Sequence, residues 1–203
     1  MGRNASGLRG EISLPTGDGN YKGEIKNVQD LVKIKDPEVY KAVGKAISRY
    51  HSVMGVRERK VKIADLDDGT LGVQVNKNGN SQAVYLNKKV HNMSKKDIER
   101  IVRGDYKSGW MTKTNKAIAH TVTHELAHAT WGSDMKERKH KEAKKEIEKL
   151  FNTWRRDKTK RGYGEYAKAN VDEFWAETVT KAVHGKSDKY TRAVKSIAKR
   201  FDL

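Results

Sequence analysis

Residues 114–131 read TNKAIAHTVTHELAHATW, and within them His124, Glu125 and His128 spell His-Glu-x-x-His. On an α-helix, residues four apart lie one turn above each other on one face, so both imidazoles can reach a common point that Glu125 flanks. Ala117, Ile118, Val122, Leu126, Ala127, Ala129 and Trp131 make this the most apolar helix-like segment of a very polar chain. A helix apolar on most sides is buried. Two histidines and a glutamate buried with it need partners, because polar groups left unpaired in a protein interior are costly. A metal ion would satisfy them, and the pattern is the one zinc hydrolases use. A chance match on a solvated helix is the alternative, and the apolar surroundings argue against it.

Composition sets the frame for this helix. At 203 residues, with 35% apolar and 34% charged side chains, the chain suits one domain with a small core. Residues 1–24 carry six glycines and Pro15 without sustained periodicity, so they read as a flexible arm or a domain-boundary segment, with 25–203 as a single domain. The Asn4-Ala5-Ser6 triplet matches a glycosylation acceptor with no secretory signal beside it. The 43 Lys and Arg exceed the 26 Asp and Glu to give +17, spread along the chain. Such charge fits a nucleic-acid partner as well as it fits plain solubility. Cysteine is absent, so metal chemistry has to use His and carboxylates. No apolar run reaches the ~18 residues of a membrane span, and no signal peptide is visible. The expected location is therefore the cytoplasm or a virion. Oligomeric state leaves no mark in the sequence.

Around the central helix the pattern alternates between two periods. From Asp36-Pro37, the residues Val39, Val43, Ala46, Ile47, Tyr50 and Val53-Met54 recur at helical spacing up to Gly55, with His51 near the end as a solvated or capping residue. Residues 59–90 switch to alternation, broken at Asp67-Asp68-Gly69 and Asn78-Gly79-Asn80, which predicts three short strands in meander order. The strand Ala83 to Asn87 is the candidate edge for holding an extended peptide by main-chain pairing, with a purely structural strand as the alternative. Ser94, with Asp97 three residues on, opens a helix whose stripe is Ile98, Ile101 and Val102 before Gly104. Residues 135–158 form a charged surface helix in which His140 sits on a solvated face. A further apolar helix spans the stretch around Tyr166 to Gly185, and an amphipathic one runs from about Asp188 to Arg200.

A catalytic zinc keeps three protein ligands and one open position, so His124 and His128 need a third partner. Residues 129–137, ATWGSDMKE, contain no His, which excludes the class whose third ligand follows in His-x-x-Gly-x-x-His. The better source is Asp172-Glu173-Phe174-Trp175-Ala176-Glu177. Glu173 and Glu177 are four apart and share a helix face, so one can bind metal while the other takes a hydrogen bond from a ligating imidazole. The alternative is an acidic helix face paired with lysines.

HELAH at 124–128 together with YAKANVDEFWAE at 166–177 resembles the catalytic domain of anthrax lethal factor and its relatives, a gluzincin metallopeptidase family that includes domains encoded by phages and other mobile elements. The resemblance covers residues 120–128 and 163–180. It implies an α+β, zincin-like fold: a small, mainly antiparallel sheet of about three to four strands, with an active-site helix and several surrounding helices. It also implies Glu173 as third Zn2+ ligand, Tyr166 as catalytic assistant and Glu177 as the acid behind the ligands; Tyr163 competes for the role of Tyr166. The expected activity is hydrolysis of a peptide bond in a protein substrate, with Glu125 as general base to an activated water. His120, one turn before His124, is expected to pack or to support a ligand. The alternative is a basic phage or mobile-element structural or nucleic-acid-binding protein whose zinc site is structural, in which Glu125 has no task.

Overall fold

A computed structural model describes residues 23–56, 58–77, 80–131 and 138–203. The glycine-rich segment through residue 22, the Asn78-Gly79 turn and Gly132 lie outside the described residues. Helix α1, Pro37–Met54, begins where the proline pattern predicts. The Asp36 carboxylate accepts from the Glu38 and Val39 amides at 2.8 and 3.2 Å, and Gly55 ends the helix at φ 67°, a left-handed conformation that costs glycine little. Its buried stripe is Val39, Val43, Ala46, Tyr50 and Met54. Full burial of a side chain the size of Val or Met contributes roughly 1.5–3 kcal/mol.

The sheet consists of β1 (Lys26–Asp30), β2 (Val61–Asp65), β3 (Gly72–Lys77) and β4 (Asn80–Asn87), in spatial order β1-β2-β4-β3. β1 is antiparallel to β2, β4 is parallel to β2, and β3 is antiparallel to β4. The fold is therefore α+β, with one parallel pair in an otherwise antiparallel sheet. Two expectations change. The last three strands do not form a meander, because β4 passes β3 to pair with β2. Consequently the strand Ala83 to Asn87 is no edge: its backbone is hydrogen-bonded on both sides, so it has no main-chain groups free for a peptide. The edges are β3 and β1, and β1 was not anticipated from the sequence.

The helices α2 (Lys88–His91), α3 (Lys95–Ser108), α4 (Ala117–Trp131), α5 (Arg138–Arg156), α6 (Val171–His184) and α7 (Lys189–Phe201) complete the described chain. α3 runs through Gly104 and stops only at Gly109, whose φ is 76°. α4 packs on β3 and β4 with α1 and α3 beside it, while α6 packs against α4 and also against α5 and α7. Every residue of α4 from Ala117 to Thr130 is buried, as its all-round apolar pattern predicts. His140, expected on a solvated face, is buried instead at 7% exposure, because α5 turns this position toward the same side as Ala143 and Ile147. No helix among the described residues is long and apolar enough to cross a membrane.

Candidate metal centre

Two helices bring the central residues together. α4 is gripped along its length: the Trp175 indole donates to the Ala127 carbonyl at 3.0 Å, and the Tyr50 hydroxyl to the Leu126 carbonyl at 3.1 Å. α6 starts at Asn170, whose side chain accepts from the Asp172 and Glu173 amides at 2.9 Å each, placing Glu173 in the first turn. Phe174, Trp175 and Ala176 are fully buried against the core, and this fixes the side on which Glu173 and Glu177 emerge.

His124 Nε2 lies 3.1 Å from Glu173 Oε2, His128 Nε2 lies 3.4 Å from the same oxygen, and the two ring nitrogens are 3.1 Å apart. All three side chains are buried. The donor chemistry shows that a cation fits here. Glu177 Oε1 can only accept, so His124 Nδ1, 3.0 Å away, carries the hydrogen, and Nε2 is left facing a carboxylate oxygen and a second imidazole. Lone pairs so arranged need a shared proton or a metal ion between them.

Behind the ligands, Glu177 is a hub. Its Oε1 accepts from His124 and, at 3.1 Å, from His120 Nε2; its Oε2 accepts the Thr112 amide at 2.6 Å. His120 Nδ1 is 3.1 Å from the Tyr106 hydroxyl, which in turn is 2.9 Å from Thr114 Oγ1. His120, His124 and Glu177 also lie close enough to hold an ion. Both ring nitrogens facing Glu177 act as donors to it, however, so this group reads as a hydrogen-bonded support rather than a second centre. The signal for His120 was present in the sequence, one helical turn before His124. Nothing in the sequence pointed to Tyr106, Thr112 or Thr114.

Glu125 is buried beside Gly72 at the start of edge strand β3, where a Cβ would come within 2.9 Å of Glu125 Cγ. No hydrogen bond among the described residues ends on its carboxylate, and burial raises its pKa, a shift the His124 and His128 rings partly offset. Burial likewise works against charge on Glu173 and Glu177. The neighbouring rings, His128 and His124 for the first and His120 and His124 for the second, outweigh it and hold both carboxyls well below their ordinary range. Burial disfavours charge on His124 as well, but the Glu173 and Glu177 carboxylates overcome it and raise its pKa well above the usual value.

Tyr166 lies on a short 3-10 turn, Glu165–Lys168, before α6 rather than within it. Its ring is stacked on His124 with centroids 5.6 Å apart and planes 14° from parallel, and Trp110 covers it at 5.2 Å. The Tyr166 amide donates to the Trp110 carbonyl at 2.9 Å. Burial and the Glu173 carboxylate both push the Tyr166 phenol up, so it stays protonated and able to donate. Tyr163 is held elsewhere, its hydroxyl donating to Asp188 at 3.1 Å and its ring covered by the Lys181 ammonium. The structure thus brings together His124, His128, Glu173, Glu125, Glu177 and Tyr166, and leaves Tyr163, His51 and His140 apart from them. No protein-family model, curated protein or solved structure matches the chain.

Proposed function

We propose that this protein is a zinc-dependent endopeptidase of the gluzincin, lethal factor-like kind, hydrolysing a peptide bond in a protein substrate. The observation that carries this reading is the convergence of His124 Nε2, His128 Nε2 and Glu173 Oε2 next to a buried Glu125 that does not belong to the ligand set. Two imidazoles and one carboxylate are the donor set of a catalytic zinc with one position open. The chemistry zinc supplies when bound is Lewis acidity, which lowers the pKa of a water toward about 7 and polarises the scissile carbonyl.

The protein's own groups do the rest. Glu125 takes the proton from the attacking water and delivers it to the leaving nitrogen; its burial, which raises the carboxyl pKa, suits it to both halves of that transfer. Tyr166 donates a hydrogen bond to the oxygen that develops negative charge. Glu177 fixes the His124 tautomer so that Nε2 faces Glu173. The substrate lies extended along β3, the sheet edge beside α4, with Gly72 leaving room next to Glu125.

The test is Glu125→Gln. The wild type loaded with one zinc should cleave members of a peptide library. The variant should retain the metal and the fold while losing about 100-fold to 10,000-fold in rate. A zinc-loaded wild type that cleaves no library member would favour the alternative, a structural centre in a basic binding protein.

A further inference from the structure

Two segments far apart in sequence, 138–161 and 185–203, hold 17 of the 43 Lys and Arg and only six of the 26 Asp and Glu. They carry +11 of the net +17, and the fold packs them together as α5, α7 and their flanks. α5 buries Ala143, Ile147, Phe151 and Trp154 and exposes Lys141, Lys145, Lys149 and Arg156 on the opposite stripe. α7 buries Tyr190, Val194, Ile197 and Ala198 and exposes Arg192 and Lys199. Lys189 pairs with Asp157 at 2.7 Å near the end of α5, and Arg200 pairs with Glu146 further back along it. The helices are therefore antiparallel neighbours, and each turns its basic row away from its own buried stripe. None of the six exposed basic residues just named forms an ion pair among the described residues. The other acids of the two segments are Glu142, Glu148, Asp202 and Asp188, the last paired with Lys181 at 2.7 Å.

The chemistry of this face selects one kind of partner. Among the described residues, the exposed large apolar ones are Val28, Val32, Tyr40 and Trp110, none of them on α5 or α7. The face thus lacks the apolar centre of a protein interface, the apolar anchor of a membrane-surface helix and the aromatic platforms on which single-stranded bases stack. What it offers is cations in line: Lys141 to Arg156 span roughly 22 Å of helix, about two thirds of a duplex turn. We propose that α5 and α7 form a sequence-independent binding face for the phosphate backbone of duplex nucleic acid. α6 lies between this face and α4, so the face is separate from the metal centre.

The test uses the full chain and a labelled mixed-sequence duplex of about 30 base pairs, titrated from about 50 to 300 mM salt. With some five phosphate contacts, log K should fall against log salt with a slope of about −4 to −5. Replacing Lys141, Lys145, Lys149, Arg156, Arg192 and Lys199 with Gln should weaken binding at least about 30-fold at 100 mM salt and cut the slope to less than half. Replacing six exposed lysines elsewhere, Lys33, Lys35, Lys41, Lys45, Lys96 and Lys107, removes the same charge and should cost less than about threefold. Equal losses in the two variants would overturn the placement, since binding would then follow net charge alone. Absence of binding at low salt, tighter binding to the single strand, or displacement by polyglutamate as effective as by unlabelled duplex would each overturn the partner.

Discussion

Glu173 and Glu177 belong to one helix and carry the same charge, yet their surroundings divide their work. Glu173 Oε2 faces two ring nitrogens that can both point at an ion, whereas Glu177 is occupied by His124, His120 and the Thr112 amide. Glu173→Ala should therefore abolish stoichiometric metal binding. Glu177→Ala should weaken it about 10-fold to 100-fold, and His140→Ala should leave it unchanged. Metal analysis of the purified proteins decides this, and full retention in Glu173→Ala would remove Glu173 from the ligand set. Tyr166→Phe keeps the ring stacked on His124 and deletes only the donor. The expected loss is about 100-fold in kcat with KM and metal content little changed; an unaltered kcat would exclude the phenol from the reaction.

Between elements, the closest approach near the centre is that of the turn carrying Tyr166 to the chain after α3. Glu165 and Tyr166 donate to the Gly109 and Trp110 carbonyls at 2.9 Å each, and a Cβ on Gly164 would fall on the Trp110 carbonyl. Since this neighbour is backbone, it cannot rotate away. Gly164→Ala should cost about 1–3 kcal/mol in chemical denaturation and displace the Tyr166 ring; a variant as stable as the wild type would mean that the two segments separate easily. Gly72 is the matching contact on the sheet. There, Gly72→Ala should press on the Glu125 stem and lower kcat while the metal remains bound.

Across the whole molecule, two buried histidines outside the centre couple folding to pH. Burial lowers the His91 pKa to about 4, and its Nδ1–H is committed to the Asn87 carbonyl at 3.0 Å. His184 is likewise lowered to about 4, by burial first and by Arg49 second. In the unfolded chain both titrate near 6.5, so between pH 6.5 and 4 the unfolded state binds more protons. Their stabilisation is full above pH 6.5 and is lost as pH falls through that window. From pH 7 to 5, His91 alone should account for about 2 kcal/mol. Denaturation midpoints of chelator-treated protein at the two pH values should show a smaller acid loss in His91→Phe, and an equal loss would clear His91 of the effect.

Local physics made much of this legible in advance. Both termini of α1 and the start of α7 followed from Asp36, Pro37, Gly55 and Asp188, because capping is a contact between near neighbours. The burial of α4 and the pairing of His124 with His128 followed from helical periodicity, and Glu173 with Glu177 followed from the same four-residue spacing. Other features depended on long-range partners. β4 alternates like an edge strand, and only its pairing with both β2 and β3 made it internal. His140 sits among lysines, and only the roll of α5 buried it. The charge looked evenly spread until the packing of α5 on α7 brought two basic segments together. The sequence by itself determined which residues could bind a metal and where the long helices would lie, though not the short α2 or the turn that carries Tyr166, because the former depend on side-chain chemistry and spacing of a turn or less. Only the tertiary structure decided which carboxylate faces the two imidazoles, which tyrosine joins them and which strand borders them, because each depends on segments about 40 to 55 residues apart meeting in one place.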